Sequence, residues 1–153
     1  MTTPSQRLAA LGLTLPPVAP PQAAYVPAVR TGNHVYVSGQ LPLADGKLQA
    51  TGKVGDTVSA EEAASLARLC ALNGLAAAAS VAGGLDAIRR IVKVTGFVAS
   101  VPSFTGQPVV INGASEFLIE VFGEAGRHAR SAVGLAVLPL DSPVEVELIA
   151  EVA

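Results

Sequence analysis

The chain has 153 residues, of which half are hydrophobic and 14% are charged, and its formal net charge is −2. This length suits one domain with a real core, and the apolar composition excludes intrinsic disorder. Ten basic residues without a basic run argue against a nucleic-acid binder and against a membrane-surface protein. Little polar surface is available, so apolar area is expected to be buried against partner chains.

The uncharged segment 69–85 is too short to span a bilayer comfortably and contains Asn73 and Ser80, so a buried helix is predicted. The N-terminus lacks the basic start and long apolar run of a signal peptide. Cys70 is the only cysteine; it fits a reducing compartment and is interpreted as a small apolar residue on that helix. These features predict a cytoplasmic protein.

Residues 1–22 are predicted to form an N-terminal helix and a proline-rich connector, and residues 23–153 a single domain. The helix opens at Thr3-Pro4, and the stiff connector follows at 16–21. Residues 25–29 and 34–38 are expected to form a β-hairpin that turns at Gly32-Asn33. A short strand is predicted near residues 48–51.

The middle of the chain predicts two helices and a strand between them. Ser59-Ala60-Glu61-Glu62 matches a capping box, and Gly83-Gly84 stops the helix that follows it. Residues 88–98 alternate as a strand. The spacing of apolar residues predicts a second helix over 113–124.

The last quarter predicts an apolar strand that starts near His128 and has Arg130 in its first residues. A second strand is predicted over 144–150. The intervening Pro-Leu-Asp-Ser-Pro turn suggests a closing hairpin. Val133, Leu135 and Val137 are assigned to the helix-packed core, which puts Arg130 on the opposite face. The element order predicts an α+β fold with both helices on one face of a mostly antiparallel sheet.

A charge in an apolar strand is costly unless it is paired or exposed, so Arg130 needs a partner. That partner is either a structural acid or a substrate. Glu145, Glu147 and Glu151 share one side of the last strand. They fit either the solvated face of an antiparallel sheet or a homo-oligomeric cleft that receives Arg130 and one glutamate.

Several motifs, in this order, resemble one known family. They are Tyr25-Val26, Gly32-Asn33, Val37-Ser38-Gly39-Gln40-Leu41-Pro42, Ile91-Val92-Lys93-Val94-Thr95, Ala129-Arg130-Ser131, Leu138-Pro139 and Val144-Glu145-Val146-Glu147-Leu148-Ile149-Ala150. Over residues 24–152 the chain resembles the RidA (YjgF-like) family of imine and enamine deaminases. The resemblance implies a chorismate-mutase-like single domain and a homotrimer with three clefts between subunits. It also implies hydrolysis of 2-imino and 2-enamino acids to 2-oxo acids and ammonia, without a cofactor or a metal.

The resemblance also implies roles for individual residues. Arg130 matches the carboxylate-binding arginine, and Glu145 matches the acid that positions or activates the attacking water. Ser38 and Gly39 match the loop that lines the cleft, and Tyr25 matches the tyrosine at its mouth.

Three further residues each have two possible interpretations. Asn112 lies near a family asparagine and is a candidate substrate-binding residue, although by itself it reads as a cap of the second helix. Glu147 competes with Glu145 for the cleft. His128 is either a surface residue or an additional proton-transfer or carboxylate-binding group.

The chain also departs from the family pattern. His128 stands where the family usually has proline, Ala132 stands where many members have cysteine, and the N-terminal helix and connector are additional. These departures indicate a divergent branch. The alternative function is that of a non-catalytic trimer that binds small carboxylates or acts as a regulatory protein. An endoribonuclease, as some family members have been labelled, is disfavoured by the acidic charge balance.

Overall fold

The computed structural model describes residues 1–21 and 23–153. Its helices are α1 (Pro4–Ala10), α2 (Ala60–Ala82) and α3 (Gln107–Phe122). Its strands are β1 (Ala28–Thr31), β2 (His34–Gln40), β3 (Leu43–Ala44), β4 (Lys47–Leu48), β5 (Ile88–Ala99), β6 (Ala129–Leu135) and β7 (Val144–Val152). The predicted α+β class is confirmed.

Five strands form the main sheet, in the order β1-β2-β7-β5-β6, and β3 pairs only with β4. All neighbours in the main sheet are antiparallel except β5 and β6, which run parallel. The hairpin at Gly32-Asn33 is confirmed, because β1 and β2 pair directly through Thr31 and His34. The strand predicted near residues 48–51 is instead the end of the small β3–β4 hairpin.

The predicted closing hairpin is wrong. The strands β6 and β7 do not pair with each other, because β5 lies between them. Antiparallel pairing needs only a short turn, whereas the parallel β5–β6 pair requires a crossover, and α3 supplies it. Residues 136–143 then carry the chain across β5 to the position of β7.

The predicted face of Arg130 is also wrong. Val133, assigned to the core, is 41% exposed, whereas the Arg130 side chain contacts α3. Parallel pairing explains the reversal: Arg130 is level with Val94, and Val94 faces the helices and is fully buried. Val133 therefore lies on the open face of the sheet, which no helix of the described chain covers.

The capping box of α2 is confirmed in its Ser59 half, since the Ser59 side chain accepts from the Glu62 backbone N–H. Gly83 ends the helix in the left-handed conformation, as predicted. The start predicted for α3 is wrong by six residues, because the helix begins at Gln107 with a proline in its first turn. Asn112 therefore lies inside the helix and does not cap it.

Helices α2 and α3 cover one face of the sheet and form one core with it. Helix α2 is long and apolar enough to cross a bilayer, but most of it is buried inside the domain, as expected for a core helix. Cys70 is fully buried on α2, as predicted. A core of this kind leaves the opposite face of the sheet open.

The N-terminal helix packs onto this domain. Leu8 of α1 is only 3% exposed, and both the backbone N–H and the hydroxyl of Ser5 donate to the Asp86 carboxylate, at 2.8 and 2.6 Å. These hydrogen bonds lower the pKa of Asp86. The boundary predicted at residues 22 and 23 remains a prediction, since Gln22 lies outside the described residues.

Candidate functional site

Arg130 lies at the edge of the sheet among polar residues of α3. Its Nη1 donates to Asn112 Oδ1 at 2.8 Å and to Ser115 Oγ at 3.3 Å. Ser115 Oγ also lies 2.9 Å from His128 Nε2. We call these four residues the arginine cluster. Ser115, His128 and Arg130 line an open cavity of about 180 Å³ beside it.

The guanidinium of Arg130 is half-buried and has no acidic partner among the residues that the structure describes. No carboxylate of residues 1–21 or 23–153 forms an ion pair with it. Its two hydrogen-bond acceptors in the cluster are neutral and both use Nη1. The edge formed by Nε and Nη2 makes no hydrogen bond within the described chain. A structural salt bridge within one chain therefore does not explain this arginine.

The second candidate group surrounds Glu145, the second residue of β7. A cavity of about 310 Å³ lies beside it, and most of the cavity wall is apolar. The wall includes Tyr25 and Gly39, which were predicted site residues, and Pro20 and Pro21 of the N-terminal connector. We call Tyr25, Gly39 and Glu145 the glutamate pocket.

Gly39 leaves space for the carboxylate of Glu145. A Cβ atom at position 39 would collide with Oε1 of Glu145 and would lie 2.8 Å from its Cδ. A β-bulge interrupts the pairing of β2 with β7 between Val37 and Gln40, next to this contact. Bulges re-aim side chains at the ends of strands. The absence of a side chain at Gly39 therefore allows the carboxylate of Glu145 to lie against the backbone of β2.

Burial raises the pKa of Glu145, and the nearby negative charge of Glu147 raises it further. Desolvation disfavours the charged form of a carboxyl group, and a like charge adds to this effect. Burial likewise raises the pKa of Cys70, with Glu145 as the second cause. A carboxyl group with a raised pKa is suited to proton transfer closer to neutral pH.

Glu147 is close to Glu145 but lines a different cavity. It lies level with Thr95 on the open face of the sheet, beside Tyr36, Lys93 and Ile149. Glu145 alone of the two lines the cavity with Tyr25 and Gly39. The geometry therefore favours Glu145 over Glu147 as the acid of the pocket.

Ser38 does not line the cavity of the glutamate pocket, but it supports the segment that carries Tyr25. The Ser38 hydroxyl donates to the Val26 carbonyl at 2.6 Å, and the Ser38 backbone N–H donates to the Pro27 carbonyl at 2.9 Å. Ser38 thus ties the segment that carries Tyr25 to the end of β2. Tyr25 was predicted in a strand but precedes β1, and it is 45% exposed at the mouth of the cavity.

The two groups are separated within one chain. Arg130 is level with Val94 and Glu145 with Phe97, on opposite sides of β5. Standard strand dimensions put their Cα atoms about 14 Å apart. Arg130 also faces the helices, whereas Glu145 alternates with buried residues of β7 and faces away from them. One subunit alone does not bring the two side chains together.

The sequence reasoning did not find Ser115. Because the helix was started at residue 113, Asn112 and Ser115 were not recognised as one turn apart on one helix. A helix drawn from Gln107 places them at i and i+3, on the same face. No group of three or more potential metal-ligating side chains is present in the described residues; the predicted independence of metals remains a prediction.

Comparisons with known proteins agree with this fold. The sequence model of the family described as "YjgF/chorismate mutase-like, putative endoribonuclease" matches residues 5–152. Protein TCP17 of Trypanosoma cruzi is 45% identical over 142 residues, which cover 92% of this chain and 89% of that protein. The crystal structure of Atu1372, a protein of unknown function from Agrobacterium tumefaciens, is 51% identical with a TM-score of 0.89, covering 98% of this chain and 92% of that one. The structure of Escherichia coli TdcF with bound serine is 27% identical with a TM-score of 0.65, covering 89% and 94%.

The fold is that of a chorismate-mutase-like α+β protein. The half-buried guanidinium of Arg130, which pairs with no acid of the described residues, defines a candidate anion site at the edge of the sheet. The chain belongs to the YjgF (RidA) family. The predicted family is thereby confirmed. Its description as a divergent branch with an N-terminal extension remains a prediction.

Proposed function

We propose that this protein hydrolyses reactive 2-imino and 2-enamino acids to 2-oxo acids and ammonia, without a cofactor. The observation that carries the proposal is the half-buried guanidinium of Arg130. Among the described residues it donates only to neutral acceptors, and its Nε–Nη2 edge makes no hydrogen bond. A guanidinium binds a carboxylate with two parallel hydrogen bonds through such an edge. Every proposed substrate, and the 2-oxo acid formed from it, carries a carboxylate next to the reacting carbon.

Glu145 is proposed as the group that activates water. The ionised carboxylate accepts a proton from water while the oxygen attacks the imine carbon, and the proton passes to the imine nitrogen. The resulting carbinolamine then loses ammonia and leaves the 2-oxo acid, so that one water is consumed for each ammonia released. The imine carbon is already electrophilic, so position and one proton carrier are sufficient. The bound serine in TdcF, named above, supports an amino-acid-like ligand.

The site requires two subunits in this proposal, and we propose a homotrimer. The arginine cluster and the glutamate pocket lie on opposite sides of the sheet, so each is half of a site. The open face of the sheet carries exposed apolar side chains, including Val29, Tyr36 and Val133. Uncovered apolar area of this kind is typical of a subunit interface. A closed cyclic arrangement of identical chains would place the arginine cluster of one subunit against the glutamate pocket of its neighbour.

A complementation experiment tests this composite site. Arg130→Ala and Glu145→Gln chains are each expected to retain about a hundredth of wild-type activity or less when alone. Co-expressed in equal amounts, they are expected to show about a quarter of wild-type activity, averaged over all clefts. A quarter of the clefts would then receive Arg130 from one chain and Glu145 from the other. Differently tagged chains allow mixed oligomers to be purified. Mixed oligomers without activity would show that both residues act within one chain.

The reaction itself is tested with 2-iminobutanoate, whose ethyl side chain suits the apolar wall beside Glu145. A threonine dehydratase generates the imine, and 2-oxobutanoate formation is followed with and without the protein. We expect clear acceleration over buffer. Binding of 2-oxobutanoate without any acceleration would instead support the non-catalytic carboxylate-binding trimer, and the absence of both would reject Arg130 as a carboxylate site.

Gly39→Ala is expected to lower kcat/KM by about 10²-fold, since misplacing a reacting group by about 1 Å has an effect of that size. The added methyl group would displace the carboxylate of Glu145 from its position. The measurement is steady-state kinetics together with thermal unfolding. If displacement of the acid is the cause, Gly39→Ala has little further effect in a Glu145→Gln background, whereas additive losses would contradict it.

The remaining parts of the proposal concern partners and location. We propose small 2-imino and 2-oxo carboxylates as ligands, with no nucleic-acid or membrane partner, in keeping with the net charge of −2 and the lack of a basic run. The proposed location is the cytoplasm. The buried Cys70, with no second cysteine in the chain, is compatible with a reducing compartment.

A further inference from the structure

A chain of hydrogen bonds behind Arg130 has no part in the mechanism proposed above. It begins at the Gly126 carbonyl, which lies 2.6 Å from His128 Nδ1. It continues from His128 Nε2 to Ser115 Oγ at 2.9 Å, and from Ser115 Oγ to Arg130 Nη1 at 3.3 Å. Three separate segments of the chain, namely the turn after α3, α3 itself and the start of β6, converge in it.

The donors and acceptors along this chain follow from elementary chemistry. A carbonyl oxygen only accepts, so His128 Nδ1 carries the proton and donates to Gly126. A neutral imidazole has one N–H group, so its Nε2 is an acceptor. Guanidinium N–H groups only donate. Ser115 therefore donates its hydroxyl proton to His128 and directs a lone pair at Arg130.

The surroundings favour the neutral form of His128 that this arrangement needs. Burial lowers the pKa of His128, and the positive charge of Arg130 lowers it further, while the hydrogen bond to Gly126 acts in the opposite direction. The adjacent Arg127 is turned toward Glu124, with which it forms an exposed ion pair at 2.9 Å. The geometry of the chain and its electrostatics thus agree.

The result is a guanidinium that is fixed on one side only. Ser115 and Asn112 both bind Nη1, and the opposite Nε–Nη2 edge has no partner in the described residues. A side chain with four rotatable bonds loses considerable conformational entropy when it binds a ligand, and prior fixation reduces that loss. Fixation on the Nη1 side is the arrangement that leaves a two-pronged edge for a carboxylate.

We propose that Ser115 and His128 are positioning residues of the carboxylate site: Ser115 orients the guanidinium of Arg130, and His128 orients the hydroxyl of Ser115. This inference rests on the proposed function only in taking Arg130 as the carboxylate anchor. It assigns neither residue a direct contact with the reacting carbon. It therefore predicts effects on ligand binding and little effect on the chemical step.

The test measures 2-oxobutanoate binding by calorimetry and, separately, KM and kcat for 2-iminobutanoate. Ser115→Ala is expected to raise both Kd and KM by about fivefold to tenfold, which is a typical effect of losing one hydrogen bond. The kcat is expected to stay nearly unchanged. Ser115→Thr keeps the hydroxyl and is expected to restore binding. Ser103→Ala, on an exposed loop residue, serves as the control.

The role of His128 is tested by coupling. His128→Phe is expected to weaken binding by about threefold in the wild type and to have no further effect in a Ser115→Ala background, because it acts through the same hydroxyl. Unchanged Kd in Ser115→Ala, or a lower kcat with unchanged KM, would overturn the inference. The binding readout is independent of turnover, so failure of the proposed activity would leave this result interpretable. Oligomer size and melting temperature identify any variant that does not fold.

Discussion

Arg130→Ala should lower kcat/KM for 2-iminobutanoate by about 10²-fold or more, which corresponds to about 3 kcal/mol of lost binding in the transition state. The guanidinium of Arg130 is the group proposed to bind the substrate carboxylate, and alanine offers no replacement. Binding of 2-oxobutanoate, measured by calorimetry, should be lost in parallel. Little destabilisation is expected, because the substitution also removes a half-buried charge that has no acidic partner in the described residues.

Two further variants make this result specific. Arg89→Ala removes an exposed arginine that lines a different cavity from Arg130, so its activity should stay close to wild type. Arg130→Lys keeps the charge but not the two-pronged edge, so it should recover only part of the binding. Equal losses in Arg89→Ala and Arg130→Ala would point to a diffuse electrostatic effect and reject a specific anchor.

Glu145→Gln should lower kcat by about 10²- to 10⁴-fold, the usual range for loss of a general base, with a smaller effect on KM. Glutamine has nearly the same shape, so it should keep the contact with Gly39. Glu147→Gln is the matched control, two residues along the same strand and outside the cavity. A larger loss in Glu147→Gln than in Glu145→Gln would reverse the assignment of the acid.

The raised pKa of Glu145 gives the same experiment a pH dependence. A base must be ionised, so wild-type activity should fall as the pH drops through a value above the ordinary 4.5 of a glutamate. The pH dependence of folding stability has the opposite sign to that of activity. Between the ordinary and the raised pKa the folded state binds more protons than the unfolded state, so stability falls as the pH rises. Glu145→Gln should therefore unfold at a higher temperature than wild type at neutral pH.

Local signals predicted most of the elements correctly. The capping box at Ser59 and the left-handed stop at Gly83 describe α2 well, because both act within one turn of the chain. The Gly32-Asn33 turn predicted the first hairpin for the same reason. The start of α3 was misjudged because Gly113 was treated as a boundary. A Cβ atom at Gly113 would collide with the backbone of Ala64, so this glycine allows α2 and α3 to pack closely.

Long-range pairing could not be predicted from the last quarter of the chain. Two strands separated by a turn-like segment suggest a hairpin, yet β5 lies between β6 and β7. Because β6 pairs with β5 and not with β7, Arg130 faces the helices and not the open face predicted for it. The resemblance suggested the candidate residues, whose roles remain predictions, but their division into two groups follows from topology, which sequence periodicity does not encode.

The position of β6 at the end of the sheet has a further consequence. Within the described chain only β5 pairs with it, so its other side presents unpaired backbone N–H and C=O groups. Exposed strand edges promote uncontrolled association between chains. The proposed anchor residue and this vulnerable edge belong to the same seven-residue strand. If the proposed trimer covers this edge, conditions that separate its subunits should cause two losses together: activity disappears, and the freed edges promote aggregation.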